Sequence, residues 1–569
     1  MGKIRLLSQE LIDQIAAGEV IERPASVVKE LVENAIDAHS QSITVEVEGS
    51  GIDLIRVVDD GIGMEVSDCE IAILRHATSK ISKTSDLFAI GTLGFRGEAL
   101  PSIASVSKIS ISTRTASSDH GWIISLEAGK VINKEPKGMP DGTIITVKDL
   151  FYNTPVRKKF LKTAATEQRH ILEVVSRYAM AYPSIRFQLK ANERNLIDLP
   201  QASSGKDRVH ALLGKSFQNK LKPFSCVRPG LTINGFLASP EMSRPSRAGI
   251  YTFVNKRSVR DAILSASIIE GFRGMLMTKR FPVAILYVEI DPLDVDVNVH
   301  PTKAEVKFTN PSAVFGIIAN TIKQHLDKEI SSKIDIPDKK MSYEVREYKT
   351  PGYAIKPDAF KPKAPLRQET LLQPATGFYT SKAPIGTLHS TYILLEDDQS
   401  LFILDQHAAH ERVNFEKLKR LYESEKSQSQ LLMNPIIIEL SRTEYLAYEE
   451  IEEHINKTGV EVSPFGEREI AVRSVPEILK NSDIKLVILD LIHAVVQGLF
   501  KKSCHADDIL ASIACHKSVR SGKNLAIREI EGLLKDLDRL GSPETCPHGR
   551  PLYKKIGLDE IERWIGRRP

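Results

Sequence analysis

The spacing of hydrophobic residues predicts a mixture of helices and strands over residues 1–330. Between Ser26 and Ala38 the apolar residues recur at helical spacing, and Pro24 lies near the start, where proline is tolerated. Shorter alternating or apolar runs indicate strands. The predicted strands are Ser42–Glu48, Leu54–Val58, Lys108–Thr113, Trp122–Leu126, Thr143–Leu150, Tyr251–Asn255 and Val283–Ile290, and the later predicted helices are Ala262–Phe272 and Pro311–Ile330.

A basic, proline-rich segment interrupts this pattern at residues 331–384. Its 54 residues hold seven prolines, ten Lys or Arg and six Asp or Glu, and its net charge of +4 equals that of the whole chain. No hydrophobic period persists, which is typical of a flexible linker. As a random coil it would have an r.m.s. reach of about 40 Å.

Mixed elements resume after the linker. With a boundary near residue 205, the pattern divides the chain into residues 1–205, 206–330, 331–384 and 385–569. The predicted C-terminal strands are Ser390–Leu395 and Leu401–Asp405, and the predicted C-terminal helices are His410–Tyr422, Ile484–Phe500 and Asp507–Val519.

Composition narrows the class of protein. Hydrophobic residues make up 42% of the 569 residues and charged residues 26%, as in ordinary globular proteins. No apolar run approaches the ~18 residues of a membrane span, and Met1–Ser8 lacks the apolar core of a signal peptide. Five cysteines are too few for a disulfide framework and indicate a reducing cytosol. We therefore expect a cytoplasmic protein without a membrane partner, whose nucleic-acid binding would need a local basic patch.

Gly214-Lys-Ser resembles the end of a P-loop, but the P-loop motif needs a glycine five residues earlier, where this chain has Val209. Three other segments suggest a nucleotide site. Glu30 and Asn34 share one helix face, as do Glu33 and Asp37. Asp59 ends an apolar strand before two glycines, and Gly91–Leu100 is a glycine-rich run before a helix. Taken singly, these patterns are more typical of a solvated helix face, a strand-to-turn junction and a mobile loop.

Together, their order resembles the ATP-binding fold shared by gyrase, Hsp90, histidine kinases and MutL. The resemblance narrows to the MutL family of DNA mismatch repair proteins through Ile15–Asn34, Gly94–Leu100, Leu150–Arg157 and Val297–Lys303. It implies a multidomain α+β protein. The implied parts are an N-terminal GHKL (Bergerat) ATPase sandwich (1–205), a ribosomal S5-like domain (206–330), the linker (331–384), and a C-terminal α/β dimerisation and endonuclease domain (385–569).

The resemblance also implies roles for individual residues. Glu30 would be the general base that activates water, and Asn34 would ligate Mg²⁺. ATP would close a homodimer and act chiefly as a conformational switch. The remaining implied ATP-binding residues are Asp59 at the adenine amino group, Gly61, Gly63 and Thr143 near the base, Thr78, Ser79, Lys80, Gly94, Phe95, Arg96, Gly97 and Glu98 in a phosphate lid, and Lys303 at the γ-phosphate.

A second group of candidate ligands lies in the C-terminal region. His407 and Glu411 are four residues apart and would share one helix face, where they could ligate a metal. Taken alone, Asp405–Glu416 is more typical of a capped helix N-terminus. Cys515 and the Cys546-Pro-His548 step add soft ligands, although a lone cysteine is usually a small core residue.

This group resembles the nuclease-competent branch of MutL. The branch has Asp-Gln-His-Ala, two residues, Glu, four residues, Glu, and a Cys-Pro-His-x-Arg motif, and both patterns are complete here. The resemblance implies a one- or two-metal site that nicks DNA, with Zn²⁺ as a regulatory ion and Mn²⁺ as a catalytic ion. The implied ligands are Asp405, His407, Glu411, Cys515, Cys546 and His548.

A short segment at residues 430–435 resembles the motif by which this branch docks the replication sliding clamp. Its matching residues are Gln430, Leu432, Met433 and Pro435, with Met433 where Leu or Ile is usual. The alternative is a buried loop that enters a strand at Ile436–Leu440.

The function implied by the resemblance is that of an ATP-regulated mismatch repair endonuclease on double-stranded DNA, which couples mismatch recognition by MutS to strand processing and is nucleoid-associated. The alternative is a non-enzymatic matchmaker whose C-terminal metal is structural. A chaperone or topoisomerase subunit is a more distant alternative, because Lys303 lies in a MutL-like segment and the chain offers no topoisomerase cleavage domain.

Overall fold

The computed structural model describes residues 17–18, 20–80, 83, 92–94, 96–214, 217, 220–276, 280–296, 305–333, 377–424, 429–480, 482–499, 505–517, 525–547 and 549–567, without the side chains of 329–333, 424, 505 and 515–517. Most of the predicted linker, residues 334–376, therefore lies outside the description. The chain forms two compact units. One comprises Met1–Leu326 with Lys419–His516, and the other Asp327–Leu418 with Lys517–Pro569.

An eight-stranded sheet, in the order β5-β4-β3-β6-β2-β1-β7-β8, forms the N-terminal part of the first unit. Its neighbouring strands are antiparallel except β1 and β7. Apolar residues alternate with polar ones in β1, so that Ile43, Val45 and Val47 are buried on one face. The strands are β1 (Ser42–Glu48), β2 (Leu54–Asp59), β3 (Lys108–Arg114), β4 (Gly121–Glu127), β5 (Lys130–Lys137), β6 (Gly142–Lys148), β7 (Arg186–Ala191) and β8 (Arg194–Leu199).

Six helices with fully described bounds accompany this sheet. The first helix, Pro24–Asp37, buries an apolar stripe that includes Val28, Leu31 and Val32, and it packs against the fifth helix, Ala164–Ala181. This stripe confirms the predicted first helix, which begins two residues earlier than expected at Pro24. The helices are α1 (Pro24–Asp37), α2 (Val66–Ala72), α3 (Ala99–Ser105), α4 (Pro155–Phe160), α5 (Ala164–Ala181) and α6 (Gly205–Leu213).

A five-stranded sheet, in the order β12-β11-β13-β10-β9, follows in the same unit. Two long helices pack their apolar sides against it, including Leu264 and Ile268 of the first and Ile318 and Ile322 of the second. Its elements, with an adjoining two-stranded ladder of β14 and β15, are β9 (Leu221–Arg228), β10 (Leu231–Ala238), β11 (Ile250–Val254), β12 (Arg257–Val259), α7 (Ala262–Gly271), β13 (Ala284–Ile290), β14 (Val295–Asp296), β15 (Lys307–Phe308) and α8 (Pro311–Lys333).

The C-terminal elements form two further sheets. The three-stranded sheet β19-β21-β20 belongs to the first unit, and the four-stranded sheet β16-β17-β18-β22 belongs to the second. The elements are β16 (Ala383–Leu388), β17 (Tyr392–Asp397), β18 (Ser400–Asp405), α9 (Gln406–Ser424), β19 (Ser429–Glu439), α10 (Arg442–Lys457), β20 (Glu461–Pro464), β21 (Glu469–Pro476), α11 (Ile484–Val496), α12 (His505–Lys517), α13 (Ile527–Arg539), β22 (Tyr553–Gly557) and α14 (Leu558–Trp564).

The segment at residues 430–435 is not the buried loop that was the alternative to a clamp-docking motif. It is part of β19, an edge strand that bulges between Leu431 and Ile436. Leu431 is 76% exposed and Met433 is 97% exposed. The bulge removes residues 432–435, Met433 among them, from regular pairing with β21, whereas Leu431 still pairs with Ser474.

The observed elements confirm a mixed α+β architecture. Most predicted helices and strands occur within a few residues of their expected bounds, although α9 begins at Gln406, four residues before the predicted start. Within the described ranges, no helix is both long enough and apolar enough to cross a membrane.

Candidate nucleotide site

A cavity of about 600 Å³ opens beside α1 and the end of β2. Segments far apart in sequence contribute to its wall, because antiparallel pairing of β2 with β6 sets Asp59 opposite Thr143. Of the predicted ATP-binding residues, Gly61 is not part of this wall, and Phe95 and Lys303 lie outside the described residues. The predicted residues that line the cavity are Glu30, Asn34, Asp59, Gly63, Thr78, Ser79, Lys80, Gly94, Arg96, Gly97, Glu98 and Thr143.

Asp59 is fixed by hydrogen bonds at one end of the cavity. Its Oδ1 accepts from the Ser40 hydroxyl at 3.1 Å and from the Gly61 amide at 3.0 Å. Burial raises the pKa of Asp59, and these two donors and the Thr143 backbone oppose the rise. Gly63 has a φ of +69°, and a Cβ there would lie 2.0 Å from the Arg114 carbonyl oxygen. The turn after Asp59 therefore requires glycine.

The charged face of α1 is buried, unlike the solvated helix face that its pattern alone would indicate. Glu33 is only 2% exposed, and its Oε1 accepts a hydrogen bond from the Tyr178 hydroxyl at 2.5 Å. The Lys29 ammonium lies 3.0 Å from Glu30 Oε1 and 3.4 Å from Glu33 Oε1. Burial opposes the charge on Lys29, but the two carboxylates outweigh it and raise the pKa of Lys29.

Asp37 joins α1 to the lid, a role that the sequence did not reveal. Its carboxylate accepts from the Leu93 and Gly94 amides at 3.0 and 3.1 Å and pairs with Lys80 at 2.5 Å. Lys80 also donates to Asn34 Oδ1 at 3.0 Å. The signal available was the spacing of Asp37, three residues after Asn34 on the same side of the helix.

Glycine is required at one of two close approaches in the lid, at Gly97, and leaves little space at the other, Gly94. A Cβ on Gly94 would lie 3.0 Å from the Lys80 ammonium nitrogen. Gly97 has a φ of +62°, and a Cβ there would lie 2.3 Å from the Ala77 carbonyl oxygen. Gly94 is thus held to α1 through Asp37, and Gly97 packs closely against the backbone of Ala77.

The C-terminal candidates are only partly brought together. His407 Nε2 lies 3.1 Å from Glu411 Oε1, as their helical spacing predicts. Asp405 Oδ1 accepts from the Ala408 amide at 3.0 Å and so caps α9. Cys546 is 2% exposed and packs in the apolar core of its unit.

No group of three or more His, Cys, Asp or Glu residues suited to a metal ion occurs among the described side chains. His548 and the side chain of Cys515 fall outside that description. Two donor atoms 3.1 Å apart, as on His407 and Glu411, do fit joint ligation of one ion, since each would bind it at about 2.0–2.2 Å.

The comparisons with known proteins match this architecture. The model for histidine kinase-, DNA gyrase B- and HSP90-like ATPases matches residues 21–163. The C-terminal domain of DNA mismatch repair proteins matches residues 209–327, and the MutL C-terminal dimerisation domain matches residues 385–525. The fold and the cavity thus define an ATPase of the GHKL class with a C-terminal dimerisation domain.

Two relatives identify the family. The chain is 38% identical to the DNA mismatch repair protein MutL of Geobacter sulfurreducens, with 99% of each chain covered. It is 37% identical to that of Desulforudis audaxviator, with both chains fully covered. The chain belongs to the MutL family of DNA mismatch repair proteins. A crystal structure of the N-terminal domain of a DNA repair protein is also similar, at 26% identity and a TM-score of 0.50, covering 57% of this chain and 99% of that one.

Proposed function

We propose that this chain is the ATP-driven switch of mismatch repair, acting as a homodimer that couples recognition by MutS to processing of double-stranded DNA. The observation that carries the proposal is the cavity of about 600 Å³ that brings together Glu30, Asn34, Asp59 and lid residues within the ATPase domain. Asp59 at one end, and the Asn34 and Asp37 side chains beside the lid amides at the other, suit a magnesium-bound nucleotide.

Each residue has a role that its position supports. Glu30 is the general base for the attacking water, and Asp59 accepts from the adenine amino group. The glycine turn after Asp59 admits the flat base. Thr143 supports the adenine end, and the lid amides bind phosphate oxygens. Lys303 would reach the γ-phosphate, in keeping with the family resemblance.

The oxygen atoms beside α1 fit Mg²⁺. Asn34 Oδ1 and Asp37 Oδ2 already share one cation, the Lys80 ammonium, at 3.0 and 2.5 Å. Carboxylate and amide oxygens are the ligands that Mg²⁺ prefers. Bound there, the ion would neutralise charge on the phosphates. Lys80 would then be released toward the nucleotide.

The test is a comparison of ATP hydrolysis, nucleotide binding and analogue-induced dimerisation in the full-length chain. Wild-type protein should hydrolyse ATP slowly and dimerise further with a non-hydrolysable ATP analogue and Mg²⁺. The same protein should restore a low mutation rate in cells that lack their own copy. Failure to bind ATP would overturn the proposed switch.

We further propose that the C-terminal region, residues 385–569, nicks DNA with the help of a metal. Asp405, His407 and Glu411, with Cys515, Cys546 and His548, would hold Zn²⁺ and Mn²⁺. The supporting observation is the convergence of His407 Nε2 and Glu411 Oε1 at 3.1 Å. The metal would supply an activated water and stabilise the leaving oxygen. Mn²⁺-dependent nicking of supercoiled DNA tests this activity.

A matchmaker without nuclease activity is the second candidate. Asp405 caps α9 through the Ala408 amide, and Cys546 lies in an apolar core, and both features also suit a purely structural role. Persistent absence of nicking at all Mn²⁺ concentrations would favour this candidate.

The exposed residues of β19 support a contact with the replication sliding clamp. Leu431 and Met433 present apolar side chains to solvent on an edge strand, with Gln430, Leu432 and Pro435 beside them. Exposed apolar groups of this kind mark protein-binding surfaces. Clamp binding by wild type and by Met433→Asp measures this contact, and equal affinity would rule it out.

A further inference from the structure

Arg257 is a buried arginine beside the nucleotide lid. It begins β12, directly after a two-residue turn in which Asn255 and Lys256 have φ values of +48° and +65°. The residue is only 6% exposed. Burial of a guanidinium is costly unless it forms hydrogen bonds or ion pairs. Its location therefore points to a specific partner.

That partner is the backbone at the start of the lid. Arg257 Nη2 donates to the carbonyl oxygens of Thr92 and Leu93, each at 3.0 Å. The amides of Leu93 and Gly94 bind the Asp37 carboxylate at 3.0 and 3.1 Å. Residues 92–94 of the glycine-rich run, which lead into the lid, are thus held from two sides. Arg257 of the five-stranded sheet holds the carbonyls, and Asp37 of α1 holds the amides.

The second terminal nitrogen of Arg257 has no such partner. Nη1 is buried and finds no hydrogen-bond acceptor within the part of the chain that the structure describes. An unpaired buried donor is destabilising, and it becomes satisfied when an acceptor approaches. The contact between Arg257 and the lid backbone therefore has capacity for one further acceptor oxygen.

We propose that Arg257 is a positioning residue for ATP hydrolysis, which anchors the start of the lid to the five-stranded sheet and so sets the position of residues 92–94 beside the cavity. The inference rests on the proposed function of the cavity as an ATP site. Arg257 acts through the Thr92 and Leu93 carbonyls and is not one of the residues that line the cavity. Its loss should lower the fraction of molecules with a binding-competent lid, and apparent affinity falls in proportion to that fraction.

A neighbouring arginine offers a matched control. Arg260 lies three residues later, its side chain is 65% exposed, and it pairs with Glu173 of α5 at 2.7 Å. Replacement of either arginine by methionine removes one positive charge from the same region. Of these two arginines, only Arg257 hydrogen-bonds the backbone at the start of the lid within the described residues.

The experiment compares full-length wild type with Arg257→Met, Arg257→Lys and Arg260→Met. ATP hydrolysis is measured over a range of ATP concentrations, and amide hydrogen exchange at residues 92–98 is measured without nucleotide and with a non-hydrolysable ATP analogue. We expect Arg257→Met to raise KM about 10-fold with kcat within about 3-fold, and to speed exchange in nucleotide-free protein by a similar factor. The KM and the exchange rate of Arg257→Lys should lie between those of wild type and Arg257→Met, and those of Arg260→Met should match wild type.

The outcomes separate this inference from its premise. An unchanged KM and unchanged exchange in Arg257→Met would overturn the anchoring role. If Arg257→Met fails to fold, Arg257→Lys with a wild-type melting temperature decides, and wild-type KM and exchange in that variant would also overturn it. Wild-type protein that binds no ATP would instead overturn the proposed function, while the nucleotide-free exchange rates would still report whether Arg257 holds the lid.

Discussion

The Tyr178 hydroxyl donates a hydrogen bond of 2.5 Å to the buried carboxylate of Glu33 and so joins α5 to the helix that carries Glu30. Glu33 in turn lies 3.4 Å from the Lys29 ammonium, which is 3.0 Å from Glu30. Burial, together with the neighbouring Glu33 carboxylate, raises the pKa of Tyr178 well above its ordinary value, so the hydroxyl keeps its proton and remains a donor. The proposed general base, Glu30, is thus linked through Lys29 and Glu33 to the hydroxyl of Tyr178.

The first prediction concerns the proposed base. Glu30→Ala should still bind ATP, because Asp59 and the lid remain, but hydrolysis should fall by ~10²-fold or more. Asn34→Ala should instead lose Mg²⁺-dependent binding. The measurements are steady-state hydrolysis and equilibrium binding of a labelled analogue. Glu46→Ala, which removes a carboxylate from β1 away from the cavity, should leave both unchanged, and normal hydrolysis by Glu30→Ala would disprove the assignment.

The second prediction concerns the hydrogen bond beneath the site. Tyr178→Phe removes the hydroxyl with little change in shape and leaves a buried carboxylate without that donor. We expect the free energy of unfolding to fall by about 1–3 kcal/mol, measured by urea denaturation. Tyr182→Phe is the control, since no described residue hydrogen-bonds its hydroxyl, and its change should stay within about 0.5 kcal/mol. Equal effects in the two variants would show that the bond to Glu33 contributes nothing.

The third prediction concerns pH. Burial alone would raise the pKa of Glu444 in α10, but Arg244 at 3.1 Å, His493 at 2.6 Å and the Ser441 amide outweigh burial and lower it well below its usual value. A lowered pKa in the folded state stabilises the protein above the unfolded value near 4.5, and this stability is lost as pH falls below it. Unfolding measured between pH 7 and 3 should therefore be less pH-dependent in Glu444→Gln.

A control isolates that effect. Glu453 lies on the same helix, and its side chain is 78% exposed. Glu453→Gln should keep the wild-type dependence on pH, because an exposed ion pair contributes little. If Glu444→Gln and wild type lose stability in parallel as pH falls, the contact of Glu444 with Arg244 and His493 does not contribute in the way proposed.

The sequence predicted local side-chain patterns but not the contacts between segments that are distant in the chain. The stripe of α1 and the alternation of β1 follow from side-chain spacing, and so does the approach of His407 to Glu411 across one helical turn. The roles of Asp37 and Arg257 at the lid depend on folding that brings distant segments together, and no spacing encodes that. The alternative of a buried loop at residues 430–435 is wrong for a different reason, because a β-bulge overrides the apolar pattern there and leaves Met433 exposed.

The last prediction concerns DNA nicking. Asp405→Asn should abolish Mn²⁺-dependent nicking, because an amide lacks the negative charge that helps to hold a divalent ion. The fold should survive, since asparagine also caps helices well and can accept from the Ala408 amide. ATP hydrolysis measured on the same preparation should stay near wild type. Cys546→Ala should likewise lose nicking and bound Zn²⁺, whereas Cys226→Ala, at a partly exposed cysteine of the five-stranded sheet, should retain both. Nicking that persists in Asp405→Asn and Cys546→Ala would leave the matchmaker as the function of this chain.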